Sequence, residues 1–210
     1  LRLIRAAADT GKPLIISTGA TKWEEIEDAV NVVNQSGNKD LTLLVCTSSY
    51  PSLPGNAHLS RISLLKNHFG CKVGLSDHTL GIGVAIAGIA LGASAIEKHL
   101  TIRRADGGAD GQFSLEPEEF RQLVTEGQAA HEAIGKSEWQ IQESENESRR
   151  LRRSLIICED VRKGDPVTFS NVKSLRPAVG IAPKFLESSI GSNFNDDYEA
   201  GTPFNFEVIK

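Results

Sequence analysis

Two histidines, His78 and His99, each follow a short apolar segment within "GLSDHTLGIGVAIAGIALGASAIEKHL". If the two segments are neighbouring parallel strands, both imidazoles lie at one edge of a sheet and can bind the same divalent cation. Side chains alternate along a strand, so Ser76 shares a face with His78, and Glu97 with His99. With the flanking carboxylates of Asp77 and Glu97, the donors are nitrogen and oxygen, which suits Mn²⁺, Fe²⁺, Co²⁺ or Zn²⁺ acting as a Lewis acid. In the alternative interpretation, each imidazole only hydrogen-bonds to the backbone.

Hydroxyl groups end three of the apolar segments. "STG" occupies positions 17–19, "TSS" occupies 47–49, and Ser76 stands two residues before the first histidine. Hydroxyls and free amides at strand ends and helix starts can bind a phosphate or a carboxylate. The same short motifs also form ordinary turns and helix caps. Three of them beside a metal favour an anionic ligand.

The segment "RRADGGADGQFSLEP", residues 103–117, is too long and too rich in glycine for a simple turn between a strand and a helix. Long loops at this edge of α/β proteins often carry function. Asp106 and Asp110 are therefore candidates for an acid, a base or a ligand, although Asp-Gly is equally typical of turns.

Alternating strand and helix patterns must position these residues. Segments of strand length occupy residues 12–18, 41–48, 71–77 and 94–99. Apolar residues at helical spacing recur between Trp23 and Val33 and between Leu59 and Phe69, and a further helix is predicted after "EPEE". This order predicts βαβ units with a parallel sheet, an α/β fold whose ligands bind at the carboxyl ends of the strands.

The pattern changes in the last third of the chain. Residues 1–137 form the predicted α/β domain, residues 138–149 a polar linker, and residues 150–210 a small domain that is mainly β. At about 60 residues, this small domain gains stability from docking on a partner.

The composition narrows the class of protein. The 210 residues carry a net charge of −4 and one short basic segment, "SRRLRRS", so no nucleic-acid partner is expected. No apolar segment is long enough to span a membrane. Three widely spaced cysteines predict buried thiols in a reducing compartment, the cytoplasm. The chain opens on Leu1 and has no methionine, which predicts the C-terminal part of a longer protein.

Several motifs together resemble the sialic acid synthase family. They are "KPLIISTG", "CTSSYP", "GLSDHTLG", "LGASAIEKHLT" and "FSLEPEEF", in this order. The tail, "RRSLIICEDVRKGD" with "KSLRPAVGIAPKFL", is similar to the antifreeze-like (SAF) domain of those enzymes. The phrases "CTSSYP" and "GGADGQFSLEP" are closer to the pseudaminic acid synthases of the family. The resemblance implies a (β/α)₈ TIM barrel, of which this chain holds the C-terminal four βα units.

The resemblance also implies a reaction. Phosphoenolpyruvate condenses with an N-acetylated amino sugar in its aldehyde form, and a nonulosonic acid and phosphate are released. A divalent cation, usually Mn²⁺, is held by residues that match His78 and His99 and polarises the aldehyde. The remaining roles that it implies are phosphoenolpyruvate binding by Ser17, Ser48, Tyr50 and Ser76, sugar binding by Asp110 and Arg176, and orientation of the metal-bound groups by Glu97.

The resemblance further implies a domain-swapped homodimer, in which Arg176 of one subunit reaches the sugar in the other. Because a complete barrel has eight strands and only four are predicted here, the chain is expected to be an incomplete enzyme, inactive alone. Two other functions stay open from the residues: a metal-dependent barrel aldolase or hydrolase, and a non-catalytic fragment that binds carbohydrate or a partner.

Overall fold

The first of two compact units contains the parallel sheet. The computed structural model describes residues 1–210 and divides into units Leu1–Lys136 and Ser137–Lys210. In the first unit four parallel strands lie in the order β1-β2-β3-β4, which confirms the predicted α/β architecture. Its elements are α1 (Arg2–Ala8), β1 (Leu14–Ser17), α2 (Trp23–Ser36), β2 (Leu41–Cys46), α3 (Arg61–Phe69), β3 (Lys72–Asp77), α4 (Gly83–Ala90), β4 (Ile96–Lys98) and α5 (Pro117–Ala133).

The core of this unit lies between the sheet and the helices. All six residues of β2 are buried, as expected for an inner strand of a parallel sheet. Alternate residues of β2 and β3 share one cluster with residues of α2 and α3: Leu43, Val45, Val73, Leu75, Val30, Val33, Ile62 and Leu65. The odd-numbered positions of β2 and β3 therefore face the helices, and the even-numbered positions face the other side of the sheet.

The helix ends follow from local sequence. In α5, Pro117 occupies the first turn, and the side chain of Glu119 accepts a hydrogen bond from the backbone N–H of Glu116 at 2.8 Å. The α2 helix stops at Gly37, whose φ of 80° lies in the left-handed region. No helix in the chain is both long enough and apolar enough to cross a lipid bilayer.

Glycine at position 74 allows β3 and β4 to approach each other. A Cβ at Gly74 would lie 2.6 Å from the carbonyl oxygen of Ala95 and 2.7 Å from Leu44 Cδ2. The first of these contacts is with backbone, which cannot rotate away. The close spacing of the two strands that precede the histidines therefore depends on this glycine.

The second unit has a core of its own. It contains α6 (Asn146–Arg150), β5 (Ser154–Ile157), β6 (Val172–Leu175) and α7 (Leu186–Ser189). The two strands pair antiparallel, and isolated bridges extend the pairing to Pro203 and Tyr198. Phe194 and Phe204 are fully buried in its centre. The residues predicted as a linker, 138–149, belong to this unit and include the first turn of α6. Its assignment as an antifreeze-like domain stays a prediction.

The three cysteines differ in burial. Cys46 is buried, whereas Cys71 and Cys158 are only partly buried, so the expectation of three buried thiols is wrong for two of them. All three are free thiols. Burial raises the pKa of the Cys71 thiol.

We predict that Gly74→Ala lowers the free energy of unfolding of the first unit by about 1–3 kcal/mol, because the added methyl group forces β3 away from β4. Urea denaturation followed by Trp23 fluorescence measures the change, since Trp139 in the second unit is fully exposed. Gly55→Ala is the matched control, because a Cβ at Gly55 would contact nothing within 4 Å. Equal stability of the two variants would contradict the role assigned to Gly74.

Candidate active site

Two imidazoles meet at the carboxyl ends of β3 and β4. His78 directly follows β3 and His99 directly follows β4. Their ring centres lie 5.1 Å apart, and the ring planes make an angle of 69°. His78 is buried, and the side chain of His99 is 30% exposed. The structure therefore brings together the two histidines that the sequence places at neighbouring strand ends.

The hydrogen bond of His78 determines which ring nitrogen is free. Its Nδ1 lies 3.1 Å from the carbonyl oxygen of Thr47, which can only accept, so Nδ1 carries the proton and donates. In this tautomer Nε2 keeps its lone pair. Metal-binding histidines usually have such a bond on the other nitrogen, which fixes the ring orientation. His78 can therefore hydrogen-bond to the backbone through Nδ1 and bind a metal through Nε2 at the same time.

The spacing of the pair fits one shared cation. With a metal–nitrogen distance of about 2.1 Å and a ring centre about 1.1 Å behind the nitrogen, two imidazoles on one ion at about 90–110° have centres roughly 4.5–5.2 Å apart. The observed separation is 5.1 Å. No group of three or more histidine, cysteine, aspartate or glutamate side chains converges anywhere in the chain, so the fit rests on this pair.

Aromatic rings surround the imidazoles on one side. The ring centre of Tyr50 lies 4.3 Å from that of His78 and 6.0 Å from that of His99. Phe113, which is buried, lies 4.9 Å from His99. Sequence reasoning assigned no role to Phe113, although it opens the quoted motif "FSLEPEEF". Together the two rings exclude water from part of the histidine pair.

Ser76 and Glu97 join β3 to β4 on the same face as the histidines. These residues are partners in the strand register, and Ser76 Oγ donates to Glu97 Oε1 at 2.7 Å. Ser76 is buried, whereas Glu97 is exposed. The hydrogen bond fixes the Glu97 carboxylate on the face of the sheet toward which the histidines point.

Two further hydroxyls lie at the ends of β1 and β2. Ser17 is the last residue of β1 and Ser48 follows β2; both are exposed. A Cβ at Gly19 would overlap Ser48 Oγ and lie 2.9 Å from Cys46 Sγ, so the chain after β1 passes directly against the end of β2. Ser17 and Ser48 therefore lie at the edge of the sheet that carries the histidines.

The prediction for Asp77 is wrong. Side chains alternate along a strand, and Asp77 stands between Ser76 and His78. It therefore faces the helix side of the sheet, away from the histidines. There its Oδ2 lies 2.7 Å from Lys98 Nζ, and both side chains are only 1% exposed. Lys98 was missed because its partner can be identified only from the register between β3 and β4.

The loop before α5 is held by an arginine. The Arg104 guanidinium forms two hydrogen bonds with the carboxylate of Glu119, one of them 2.9 Å long. Its backbone N–H donates to Glu116 Oε1 at 2.8 Å. The hydrogen bond from Arg104, assisted by the backbone N–H of Glu116, holds the pKa of the Glu119 carboxyl below its usual value.

The two aspartates of the loop have different neighbours. Asp110 Oδ2 lies 3.7 Å from His99 Nδ1, and Asp110 is 53% exposed. Asp106 instead pairs with Arg103 at 2.9 Å, away from the histidines. Of the two candidates left open by the sequence, only Asp110 lies beside the imidazole pair.

Arg176 belongs to the second unit. It directly follows β6 in an exposed segment, near Ala178, whose backbone N–H donates to the carbonyl of Arg150 at 3.0 Å. Its guanidinium has no hydrogen-bond or ion-pair partner in the chain. The role of Arg176 toward the sugar stays a prediction.

Comparison with known proteins identifies the family. A model described as the NeuB family matches residues 1–139, which contain all the strand ends described above. The chain belongs to the NeuB family. The predicted membership in the sialic acid synthase family is thereby confirmed.

Relatives of known name cover the chain over nearly its full length. It is 37% identical to a pseudaminic acid synthase of Helicobacter pylori, which matches 100% of this chain. It is 36% identical over 95% of this chain to an N,N'-diacetyllegionaminic acid synthase of Campylobacter jejuni. The chain spans 62% and 60% of the length of these two NeuB-family relatives.

Solved structures show the same architecture. A sialic acid synthetase of Leptospira borgpetersenii matches 70% of this chain with a TM-score of 0.65 and 39% identity, over 51% of its own length. A spore coat polysaccharide biosynthesis protein E from Chromobacterium violaceum matches 100% of this chain with a TM-score of 0.68 and 25% identity, over 64% of its own length. The α/β half-barrel of this NeuB-family chain thus has direct structural counterparts.

We predict that Glu119→Gln loosens the loop of residues 103–116, because Arg104 loses the carboxylate that accepts two of its hydrogen bonds. The amides of this loop should exchange with deuterium faster than in the wild type. Glu118→Gln is the control, because Glu118 pairs with Arg121 on the exposed surface of α5 and does not contact the loop.

The Arg104–Glu119 pair also makes the stability of the protein depend on pH. Since the folded-state pKa of Glu119 is lowered, its stabilising effect is complete above the usual carboxyl pKa and is lost as the pH falls through the lowered value. The melting temperature of Glu119→Gln should therefore lie below that of the wild type at pH 7, and the difference should shrink in acid. A difference that grows on acidification would contradict the assignment.

Proposed function

We propose that this chain carries the cation-binding part of an enzyme that condenses phosphoenolpyruvate with an N-acetylated amino sugar in its aldehyde form. C3 of the enol pyruvate attacks the aldehyde carbon, water adds at C2, and phosphate leaves. The products are a nonulosonic acid and inorganic phosphate. Membership in the NeuB family and similarity to pseudaminic and legionaminic acid synthases support this reaction class.

The imidazole pair is the observation that carries the proposal. His78 and His99, with ring centres 5.1 Å apart, are the two ligands for a divalent cation, for which we propose Mn²⁺. When bound, the cation supplies a Lewis acid that polarises the aldehyde and stabilises the negative charge that develops on its oxygen. His78 is suited to this role because the Thr47 carbonyl keeps its proton on Nδ1.

The other residues of the edge bind and orient the substrates. The hydroxyls of Ser17 and Ser48 are exposed and have no partner in the chain, so they are available to the phosphate or carboxylate of phosphoenolpyruvate. Ser76 and Tyr50 complete this binding surface beside the histidines. Tyr50 and the buried Phe113 cover one side of the imidazole pair, so the interactions there are less screened by water than on the open surface.

Two carboxylates have different proposed roles. Glu97, held by Ser76, orients the groups that contact the cation. Asp110, half exposed and 3.7 Å from His99 Nδ1, contacts the sugar from the loop and accepts a proton or hydrogen bond from its hydroxyls. The proposed partner arrangement is a domain-swapped homodimer, in which Arg176 of one subunit binds the N-acetyl group of the sugar in the other.

We predict that His99→Ala, made in the complete natural polypeptide, lowers cation-dependent turnover more than about 100-fold. Loss of a group that merely supports a ligand typically costs ten- to a hundredfold, and loss of the ligand should cost more. Phosphate release is measured with phosphoenolpyruvate and a panel of N-acetylated hexoses that includes the precursors of both relatives' products.

His131→Ala is the control for this experiment, because His131 lies exposed near the end of α5. Normal turnover and normal cation content in His99→Ala would remove His99 from the site. Phosphate release that does not depend on the sugar would instead indicate a hydrolase.

We predict that Arg176→Ala raises KM for the sugar about tenfold to a hundredfold and leaves KM for phosphoenolpyruvate unchanged, because one charge-assisted hydrogen bond to the sugar is lost. Lys184→Ala, which removes another exposed cation of the same unit, is the control. An effect confined to phosphoenolpyruvate would contradict the role proposed for Arg176.

A further inference from the structure

A buried ion pair lies directly behind the two histidines. Asp77 and Lys98 are partners in the register of β3 and β4, and each immediately precedes one of the imidazole residues. Their side chains are 1% exposed and lie on the helix side of the sheet. The pair therefore touches neither the exposed hydroxyls nor the face of the sheet on which the histidines meet.

Both members of the pair also bond to the backbone of Thr79. Asp77 Oδ2 accepts a hydrogen bond from Lys98 Nζ at 2.7 Å, and Asp77 Oδ1 accepts one from the Thr79 backbone N–H at 2.9 Å. Lys98 Nζ also donates to the Thr79 carbonyl. These bonds fix the backbone on both sides of His78, whose own carbonyl accepts a bond from the Ser52 N–H at 2.9 Å.

Stability alone is a weak reason for such an arrangement. Transferring two charges from water into a core is costly, and well-packed apolar side chains of similar size often stabilise a protein as well or better. Beyond the backbone pairing of β3 and β4, the ion pair adds a directional side-chain contact between the two strands, which apolar side chains do not make. On the other face, Ser76 and Glu97 form a second connection between the same two strands.

We propose that Asp77 and Lys98 form a positioning pair that sets the separation of the His78 and His99 imidazoles and thereby their joint affinity for a divalent cation. This inference rests on the proposed function, since it requires that the two imidazoles share one ion. A slip or a wider separation of β3 and β4 moves one ring nitrogen away from the shared ion, whereas the folded core can remain intact.

The test is the binding of Mn²⁺ alone, measured from the electron paramagnetic resonance signal of the free ion. In Asp77→Leu/Lys98→Met both charges are removed together, so no unpaired charge stays buried and folding is expected to persist in thermal denaturation. Affinity for Mn²⁺ should fall about tenfold to a hundredfold, the typical loss for a group that orients metal ligands.

A second variant keeps the test decisive if Asp77→Leu/Lys98→Met does not fold. Asp77→Asn/Lys98→Gln also leaves no buried charge and lets the two amides hydrogen-bond to each other, but Gln is shorter than Lys, so Mn²⁺ affinity should fall several-fold while the melting temperature reports folding. The control is Asp40→Asn/Lys72→Gln, which removes an exposed ion pair of 3.0 Å at the opposite end of the same sheet and should leave Mn²⁺ affinity unchanged.

The possible results distinguish failure of the positioning role from failure of the proposed function. If the wild type binds Mn²⁺ and a folded Asp77→Leu/Lys98→Met binds it equally well, the positioning role is overturned and the proposed function stands. Should only Asp77→Asn/Lys98→Gln fold, unchanged Mn²⁺ affinity in that variant overturns the role in the same way. A wild type that binds no Mn²⁺ overturns both.

Discussion

The buried ion pair between Asp77 and Lys98 is the interaction on which the candidate site depends. Two charges are held away from water because Asp77 of β3 and Lys98 of β4 pair with each other and both bond to the backbone of Thr79. The consequence lies one residue further along each strand, where His78 and His99 face the other side of the sheet. Gly74 contributes to the same constraint, since any side chain there would separate β3 from β4.

The two faces of the sheet carry different kinds of side chain. The helix side carries the apolar core, and the alternate positions carry polar groups toward the strand ends. A parallel sheet brings all its carboxyl ends to one edge, so residues far apart in sequence, such as Ser17, Ser48 and His99, share that edge. The loop fixed by Arg104 and Glu119 adds Asp110 and Phe113 to the same place.

The sequence was sufficient to predict the four strands, their parallel order and the meeting of the two histidines, because apolar strands followed by polar residues specify both the sheet and its functional edge. The same alternation argument, carried one residue further, would have placed Asp77 on the helix side. Lys98 and Phe113 could not be predicted, since their contacts depend on the strand register and on the path of a long loop. The expected linker, residues 138–149, stays a prediction: these residues are all exposed and are grouped with the second unit.

The central claim is that the two imidazoles bind one ion together. Pulsed electron paramagnetic resonance of the Mn²⁺-loaded protein tests it most directly, because a nitrogen nucleus bound to the ion couples to its electron spin. The account predicts couplings from two imidazole nitrogens, one of which disappears in His99→Ala and the other in His78→Ala. A wild-type spectrum without nitrogen couplings, or a variant spectrum in which both couplings persist, would contradict it.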